Sequence, residues 1–415
     1  MCEYICYHTI DLNTMDLHSG LPYWIVKNKL YNYYYPLQED HTIDVAIIGS
    51  GITGSLVAHE LCSAGISCSV FDKRTIATGS TAASTSQLQY EIDVPLCEMV
   101  KLVKEEHAIQ AYEACLLSIT DIEKVFRSTQ LDAGFKKVSS VYIASDKKGL
   151  RLIEKEYDTR MKAGLPVTYL DKKSLFEQHN IKAPAALKNN EAAQIDSYKA
   201  ATGLLKYHQK HSGLLLFSHT EVIDYKETTT GYELKTSGGH SIFCKYVVIA
   251  TGYESGKFLP RKVMNLNSTY AIISDPIAPE MLWPERSLIW ETKQPYFYMR
   301  TTSDNRMIIG GEDEEFKNPV KRDRLLPAKI QKLEKKFSLI YPDIPFRTDM
   351  AWCGTFSSTK DGLPYIGHWP GKNKMFFALG YGGNGITFSM IAAQVIRNKI
   401  MGIRDKREQI FGFER

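Results

Sequence analysis

Three glycines, Gly49, Gly51 and Gly54, carry the spacing that brings a chain close to a pyrophosphate. Gly49 permits a tight turn, Gly51 lets the backbone approach the phosphates, and Gly54 allows a helix to pack closely on a strand. Ser50, Ile52 and Thr53 stand among them, at a helix start whose unpaired N–H groups and positive dipole end favour an anion. Asp72 follows at the end of the next predicted strand, with Lys73 and Arg74 directly after it. Its carboxylate suits the two hydroxyls of a ribose and would repel a 2′-phosphate. The chemistry of this set is the capture of a dinucleotide.

The elements that position these residues are legible around them. DVAIIG, 44–49, is a near-continuous apolar run, as a strand buried on both faces requires. A helix is predicted from Gly51 to about Ala64, stopped by Gly65, and ISCSVFD, 66–72, closes a βαβ unit. The glycine spacing alone is weak evidence. Strand, helix, second strand and terminal acid in one register make it strong.

Later segments point to FAD rather than NAD. A Ser/Thr-rich stretch follows Asp72 and includes Gly79, Ser80, Thr81, Ser84, Thr85, Ser86 and Gln87, whose hydroxyls and amides suit a pyrophosphate and the way to a flavin. Val222 lies on a strand expected to border the adenosine, and YVVIATG ends in Ala250, Thr251 and Gly252, small where a backbone must pass a ligand. Gly380, Gly382, Gly383, Asn384 and Gly385 crowd before Ile386 and Thr387 at the start of a last helix. That helix N-terminus suits the negative charge gained by a reduced isoalloxazine. Asp361 and Gly362 are expected to shape a loop near the flavin.

The set DVAIIGSGITG, Asp72, GSTAAST, VVIATG, TKDGLPYIG and LGYGGNGITF resembles the D-amino acid oxidase and glycine oxidase superfamily, over about residues 40–400. The N-terminal arm and YMRTTSDNRMIIGG are most similar to gamma-glutamylputrescine oxidoreductase-type members, although the Ser/Thr stretch lacks their RNGG pattern. The resemblance implies bound FAD and oxidation of a C–N bond to an imine by hydride transfer to flavin N5. It also implies a substrate lying under a mainly antiparallel sheet, and reoxidation by oxygen or another acceptor. Two positions depart from the amino-acid-oxidising pattern. Gly354, Thr355, Phe356 and Ser357 stand where an arginine precedes the TKDG match, and Gly383 stands where glycine oxidase-like members carry one. A guanidinium is the usual bidentate partner of a carboxylate. An amine substrate is therefore expected, or an amino acid whose carboxylate is held by Arg300.

Tyr298 and Arg300 fall on the segment expected to roof the substrate, and Glu91 is a candidate for the cationic end of a polyamine. The plainer readings are ordinary sheet residues and a local ion pair. Trp352 is a pocket wall or a core residue, Cys353 sits near a position of covalent flavin attachment in some relatives, and His59 reads as structural. Rival readings are an amino acid oxidase or dehydrogenase, a catalytically silent flavin-binding module served by the aromatic arm YNYYYP, 31–36, and an NAD-dependent enzyme.

The expected fold class is α/β: a Rossmann-type FAD-binding domain with a second α+β substrate domain built on a mainly antiparallel sheet. The arm spans 1–43. The FAD domain takes 44–128, 194–265 and 345–415, and the substrate domain takes 129–193 and 266–344. With 415 residues, 44% hydrophobic, 24% charged and a net charge of +4, the chain offers no basic patch for nucleic acid. Its eight cysteines form no CxxC pair and no metal-ligand cluster, which suits a reducing cytoplasm. No secretory leader pattern and no run of about 20 apolar residues is present, so no integral membrane segment is expected.

Overall fold

The computed structural model describes residues 17–30 and 33–415; Cys2, Cys6 and Tyr31 lie outside them. Two sheets organise the chain. The smaller has a core of five parallel strands in the spatial order Met375–Leu379, Ser241–Ile249, His41–Ile48, Cys68–Phe71, Leu215–Phe217. Tyr365–His368 adds antiparallel at one edge, and a hairpin of Val222–Glu227 and Tyr232–Thr236 hangs from Ser241–Ile249. Register is fixed by buried apolar pairs: Ile48 lies level with both Ile249 and Phe71. Gly49, Asp72, Ala250 and Gly380 therefore all follow carboxyl ends at one edge of the sheet, where open parallel sheets bind ligands.

The helix Ile52–Ser63 is buried on nearly every side, between this sheet and the helices Ser197–His211 and Gly385–Ile400. Gly65, at φ +74°, ends it, with the Gly65 amide donating to the Cys62 carbonyl. The last long helix, Gly385–Ile400, thus packs on the glycine-motif helix, although more than three hundred positions separate them.

The larger sheet has ten strands and is mainly antiparallel. Its path runs His18–Gly20, Thr348–Ser358, Asn265–Ser274, Met307–Glu315, Tyr298–Thr301, Leu288–Glu291, Lys136–Ile143, Ala185–Gln194, Gln87–Leu88. Three sequence expectations need correction here. Thr348–Ser358, placed with the dinucleotide unit, pairs along its length with Asn265–Ser274 in the larger sheet. The arm supplies a strand, His18–Gly20, and a helix, Tyr23–Asn28, whose Trp24 is 1% exposed. The amphipathic helix expected near Pro327–Phe337 runs Pro319–Ile340, because Asn318 caps it by accepting the Lys321 amide and Pro327 sits inside it. Of the tyrosine-rich segment, Tyr33 and Tyr35 are exposed.

A buried charge cluster ties the layers together behind the larger sheet. Arg160 and Glu156 are both 0% exposed, with Arg160 Nε donating to Glu156 Oε1 at 2.7 Å and Nη1 standing 3.5 Å from Glu91. Glu156 also accepts the amides of Leu96 and Cys97 at 3.0 and 2.8 Å. Removing one partner of such a buried pair leaves the other charge in low dielectric without compensation. Glu156→Ala is therefore expected to lower the unfolding free energy by about 3–5 kcal/mol in denaturant melts, and a loss below about 1 kcal/mol would contradict this account.

Candidate functional site

Two cavities open side by side and share Ser80, Ser84, Tyr253, Gly385 and Ile386 in their walls. They form one elongated cleft between the sheets.

The first cavity lies at the carboxyl ends of the parallel strands. Gly49, Gly51, Ile52 and Thr53 line it beside the helix N-terminus. Gly49 has φ +107°, and a Cβ on Gly54 would lie 1.9 Å from the Gly49 carbonyl oxygen, so the turn admits nothing larger. Asp72 lines the same space, its Oδ2 accepting the Ser50 amide at 2.8 Å and hydroxyl at 2.6 Å, and its Oδ1 accepting the Arg74 amide. Lys73 and Arg74 stand at the wall and pair with Glu254 at 2.6 and 2.8 Å. Gly79 and Thr81 close one side, where the Thr81 hydroxyl accepts the Ile52 amide at 2.9 Å. Val222, Ala250, Thr251, Gly252 and Gly380 close the other.

The second cavity runs under the larger sheet. Thr85, Ser86 and Gln87 line it from one side, and Gly382, Gly383 and Asn384 from the start of the last helix. Trp290, Tyr296 and Tyr298 supply aromatic wall. Its ionisable carboxyls are Glu91, Asp93 and Asp313, and among the described residues no Lys, Arg or His lines it. Burial raises all three carboxyls above their usual range; Asp313 reaches about 7, with Asp93 nearby adding to the effect of burial. Asp93 is held by the Gly383 amide at 2.6 Å and the Tyr296 hydroxyl at 3.2 Å. A Cβ on Gly383 would come within 2.5 Å of Asp93, so this glycine makes room for a carboxylate.

The wall between the cavities is pinned from behind. The Trp352 indole donates to the Ala83 carbonyl at 2.8 Å, and the Trp24 indole to that of Ser84 at 2.7 Å. Arg300 Nη1 donates to the carbonyls of Thr85 and Ser86 at 3.0 and 2.7 Å, and to Ile195 at 2.9 Å. Four consecutive carbonyls are thus taken by three buried side chains.

Several sequence expectations are corrected by this placement. Arg300 lines neither cavity: it is 3% exposed and committed to backbone carbonyls, with the Trp24 ring 5.5 Å from its guanidinium carbon. Ser50, Gly54 and Thr387 support the site from outside the cavity walls. Ser50 bonds Asp72 and the Ala77 amide, and the Thr387 hydroxyl donates to the Asn384 carbonyl. Asp361 and Gly362 line neither cavity, because Asp361 is occupied by Arg415 and the Leu363 amide. Cys353 is buried against Ser19 and Asp323, away from both cavities. His59 is paired with His208 at 2.9 Å. Sequence reasoning missed Asp93, Asp313, Glu254, Tyr253, Trp290 and Tyr296. Asp313 left no distinct signal, since it stands among Glu312, Glu314 and Glu315 at the end of the strand Met307–Glu315.

A glycine cradle that a Cβ would fill, an acid at the second strand's end and a joined cleft all fit an extended dinucleotide. Comparison with known proteins agrees. The family of FAD dependent oxidoreductases abbreviated DAO matches residues 44–398, and the chain belongs to it, with FAD as its cofactor. Glycine oxidase of Geobacillus kaustophilus (strain HTA426) is 26% identical over 369 residues, covering 87% of this chain and 93% of that protein. Gamma-glutamylputrescine oxidoreductase of Escherichia coli (strain K12) is 23% identical, covering 94% and 90%. Among solved structures, L-amino acid deaminase from Proteus myxofaciens superposes with a TM-score of 0.76 at 14% identity, covering 97% of this chain and 99% of that one. This last likeness concerns the fold. Among the described residues no helix is long and apolar enough to cross a membrane.

Arg300→Ala would leave the three carbonyls of Thr85, Ser86 and Ile195 buried without their donor. A loss of about 3 kcal/mol of stability is expected in denaturant melts, since unpaired buried groups cost about 1–3 kcal/mol each before relaxation. If the variant keeps full stability and instead loses only substrate affinity, Arg300 is a substrate ligand after all.

Proposed function

We propose that this chain oxidises the C–N bond of a primary or secondary amine to an imine, which water then hydrolyses. The observation that carries this reading is the second cavity, whose lining has three carboxyls and, among the described residues, no cationic side chain. A small amino acid would bring its carboxylate into that field without a guanidinium to meet it, whereas an amine is attracted.

The smaller sheet's unit is the FAD-binding domain in this proposal. Gly49, Gly51, Ile52, Thr53, Gly79, Ser80 and Thr81 would hold the pyrophosphate, Asp72 the ribose, and Val222 the adenosine side. Thr85, Ser86, Gln87 and the turn Gly382–Gly385 would surround the flavin ring. When bound, FAD supplies the acceptor for two electrons and a proton, delivered as hydride from the carbon that carries nitrogen. The chain's residues orient the amine, exclude water with Trp290, Tyr296 and Tyr298, and keep negative charge near the nitrogen as its lone pair forms the C=N bond. Tyr298 is a wall residue in this scheme, and burial, which raises its phenol, keeps it protonated and neutral. Oxygen or another acceptor would take the electrons onward. Six free cysteines among the described residues, four of them in the smaller sheet's unit and its helices, support a reducing compartment such as the cytoplasm.

The test is an absorbance spectrum of the purified protein before and after anaerobic addition of amines and amino acids. Flavin bands that bleach with amines, and not with short α-amino acids, are the expected result. Selective bleaching by short α-amino acids would sink the amine reading. In the same preparation, Asp72→Ala is expected to weaken FAD binding about tenfold or more in an equilibrium titration, the equivalent of about 1.4 kcal/mol.

A further inference from the structure

The second cavity contains two carboxylate oxygens that nothing in the fold answers. Glu91 lines it and is 3% exposed. Its Oε1 accepts from the Ser140 hydroxyl at 3.0 Å and the Asn189 amide at 2.5 Å, while its Oε2 is buried with no hydrogen-bond partner. Asp313 lines the same cavity, and its Oδ1 is likewise buried without a partner. Asp93 differs, with one oxygen taken by the Gly383 amide and the other by the Tyr296 hydroxyl. An acceptor left open in a buried site is costly, more so when it is charged, so each is a place where a ligand donor gains most.

The two open oxygens belong to different parts of the sheet. Asp313 is on Met307–Glu315, and Glu91 is bonded to Ser140 on Lys136–Ile143. Two strands lie between these, Tyr298–Thr301 and Leu288–Glu291, so the flanking strands stand three spacings apart, about 14 Å. A single ammonium, whose hydrogen bonds reach about 3 Å, cannot serve both. The intervening strands present Tyr298 and Trp290 to the cavity, with Tyr296 beside them at ring-centroid distances of 5.8 and 6.5 Å. Between two anionic ends, the site is therefore an aromatic floor that suits methylene groups and tolerates a cation.

We infer that the substrate is an amine with two cationic nitrogens on an aliphatic spacer, a diamine or polyamine, one nitrogen anchored at Glu91 and the other at Asp313. This rests on the amine reading above and adds the second charge. One nitrogen gives up its proton to solvent water before its carbon is oxidised; the other remains an ammonium and fixes the spacer along the aromatic floor. Glu91 keeps its own countercharge behind it in Arg160, so the anchored ammonium meets a carboxylate already held in place.

The experiment uses the FAD-loaded full chain with α,ω-diaminoalkanes of three to eight carbons, spermidine, and n-alkylamines of matching length. Anaerobic flavin reduction gives kcat/KM-type second-order constants, and the ligand-induced rise in Tm gives binding. At least one diamine or triamine should exceed its matched monoamine by tenfold or more in both readouts. The ratio should fall toward one in Glu91→Gln and, separately, in Asp313→Asn. The second variant leaves the Arg160 cluster intact, so a folding defect in the first does not decide the matter. Monoamines that match diamines in rate and in Tm shift overturn the second charge and leave the amine reading standing. Reduction by α-amino acids alone overturns both.

Discussion

The site depends on how four consecutive backbone carbonyls are satisfied. From Ala83 to Ser86 the chain passes between two cavities, linking the short helix Ser80–Ala83 to the strand Gln87–Leu88, with the Ser86 carbonyl also accepting the Ile195 amide. Trp352, Trp24 and Arg300 supply side-chain donors from behind. A buried carbonyl must be paired, so these three side chains fix the backbone of the wall and leave Ser84, Thr85 and Ser86 to line the cleft. The three come from distant parts of the chain. Trp24 belongs to the arm, Arg300 to the middle of the larger sheet, and Trp352 to the strand that pairs with the arm. Dinucleotide unit, substrate sheet and N-terminal arm therefore close on one segment, and the cleft exists only when all three are in place.

This explains which features are readable from the sequence. The glycine turn, Asp72 and the strand DVAII declare themselves because their physics is local: a Cβ on Gly54 collides within the same turn, and a strand buried on both faces must be apolar throughout. Arg300 misleads for a related reason. A guanidinium on a strand beside a substrate cavity invites pairing with a ligand, and nothing in YMRTT shows that its donors are claimed by carbonyls about two hundred positions earlier. The strand Thr348–Ser358 misleads by its neighbours, since it leads directly into TKDGLPYIG and the last helix while pairing elsewhere. LPYW reads as an irregular arm, because a three-residue strand and a six-residue helix leave no periodicity to detect.

The acids of the second cavity are hidden for another reason. Asp93 and Asp313 stand among other charged residues, in YEIDVP and GGEDEE, where a solvated face is the ordinary expectation. Their difference from neighbours such as Glu315 lies wholly in placement: Glu315 is exposed and paired with Lys317, whereas Asp313 looks into the cleft. The Gly382–Gly383 pair is similarly two-valued. From the sequence it reads as room for a flavin beside a helix start. In the structure Gly383 also makes room for Asp93 and binds it through its amide.

The three carboxyls are not equivalent, and their supports explain why. Glu91 has Arg160 behind it and two side-chain donors on one oxygen. Asp93 has a backbone amide at the start of the last helix, where the dipole favours a negative charge, and a phenol on its other oxygen. Asp313 has the Thr269 hydroxyl and the positive charge of Lys329 in its favour, while Asp93 and Glu312 work against it; burial carries its carboxyl up to about 7. A protein that needed only a stable core would place an apolar residue there, since a buried charge without a partner is costly. Retaining the carboxyl in a cavity wall leaves that cost to be relieved by whatever enters. A cation relieves it most, and it relieves it in the bound state alone. On the diamine reading inferred above, the free energy withheld from folding at Asp313 would be available for recognising a positively charged substrate.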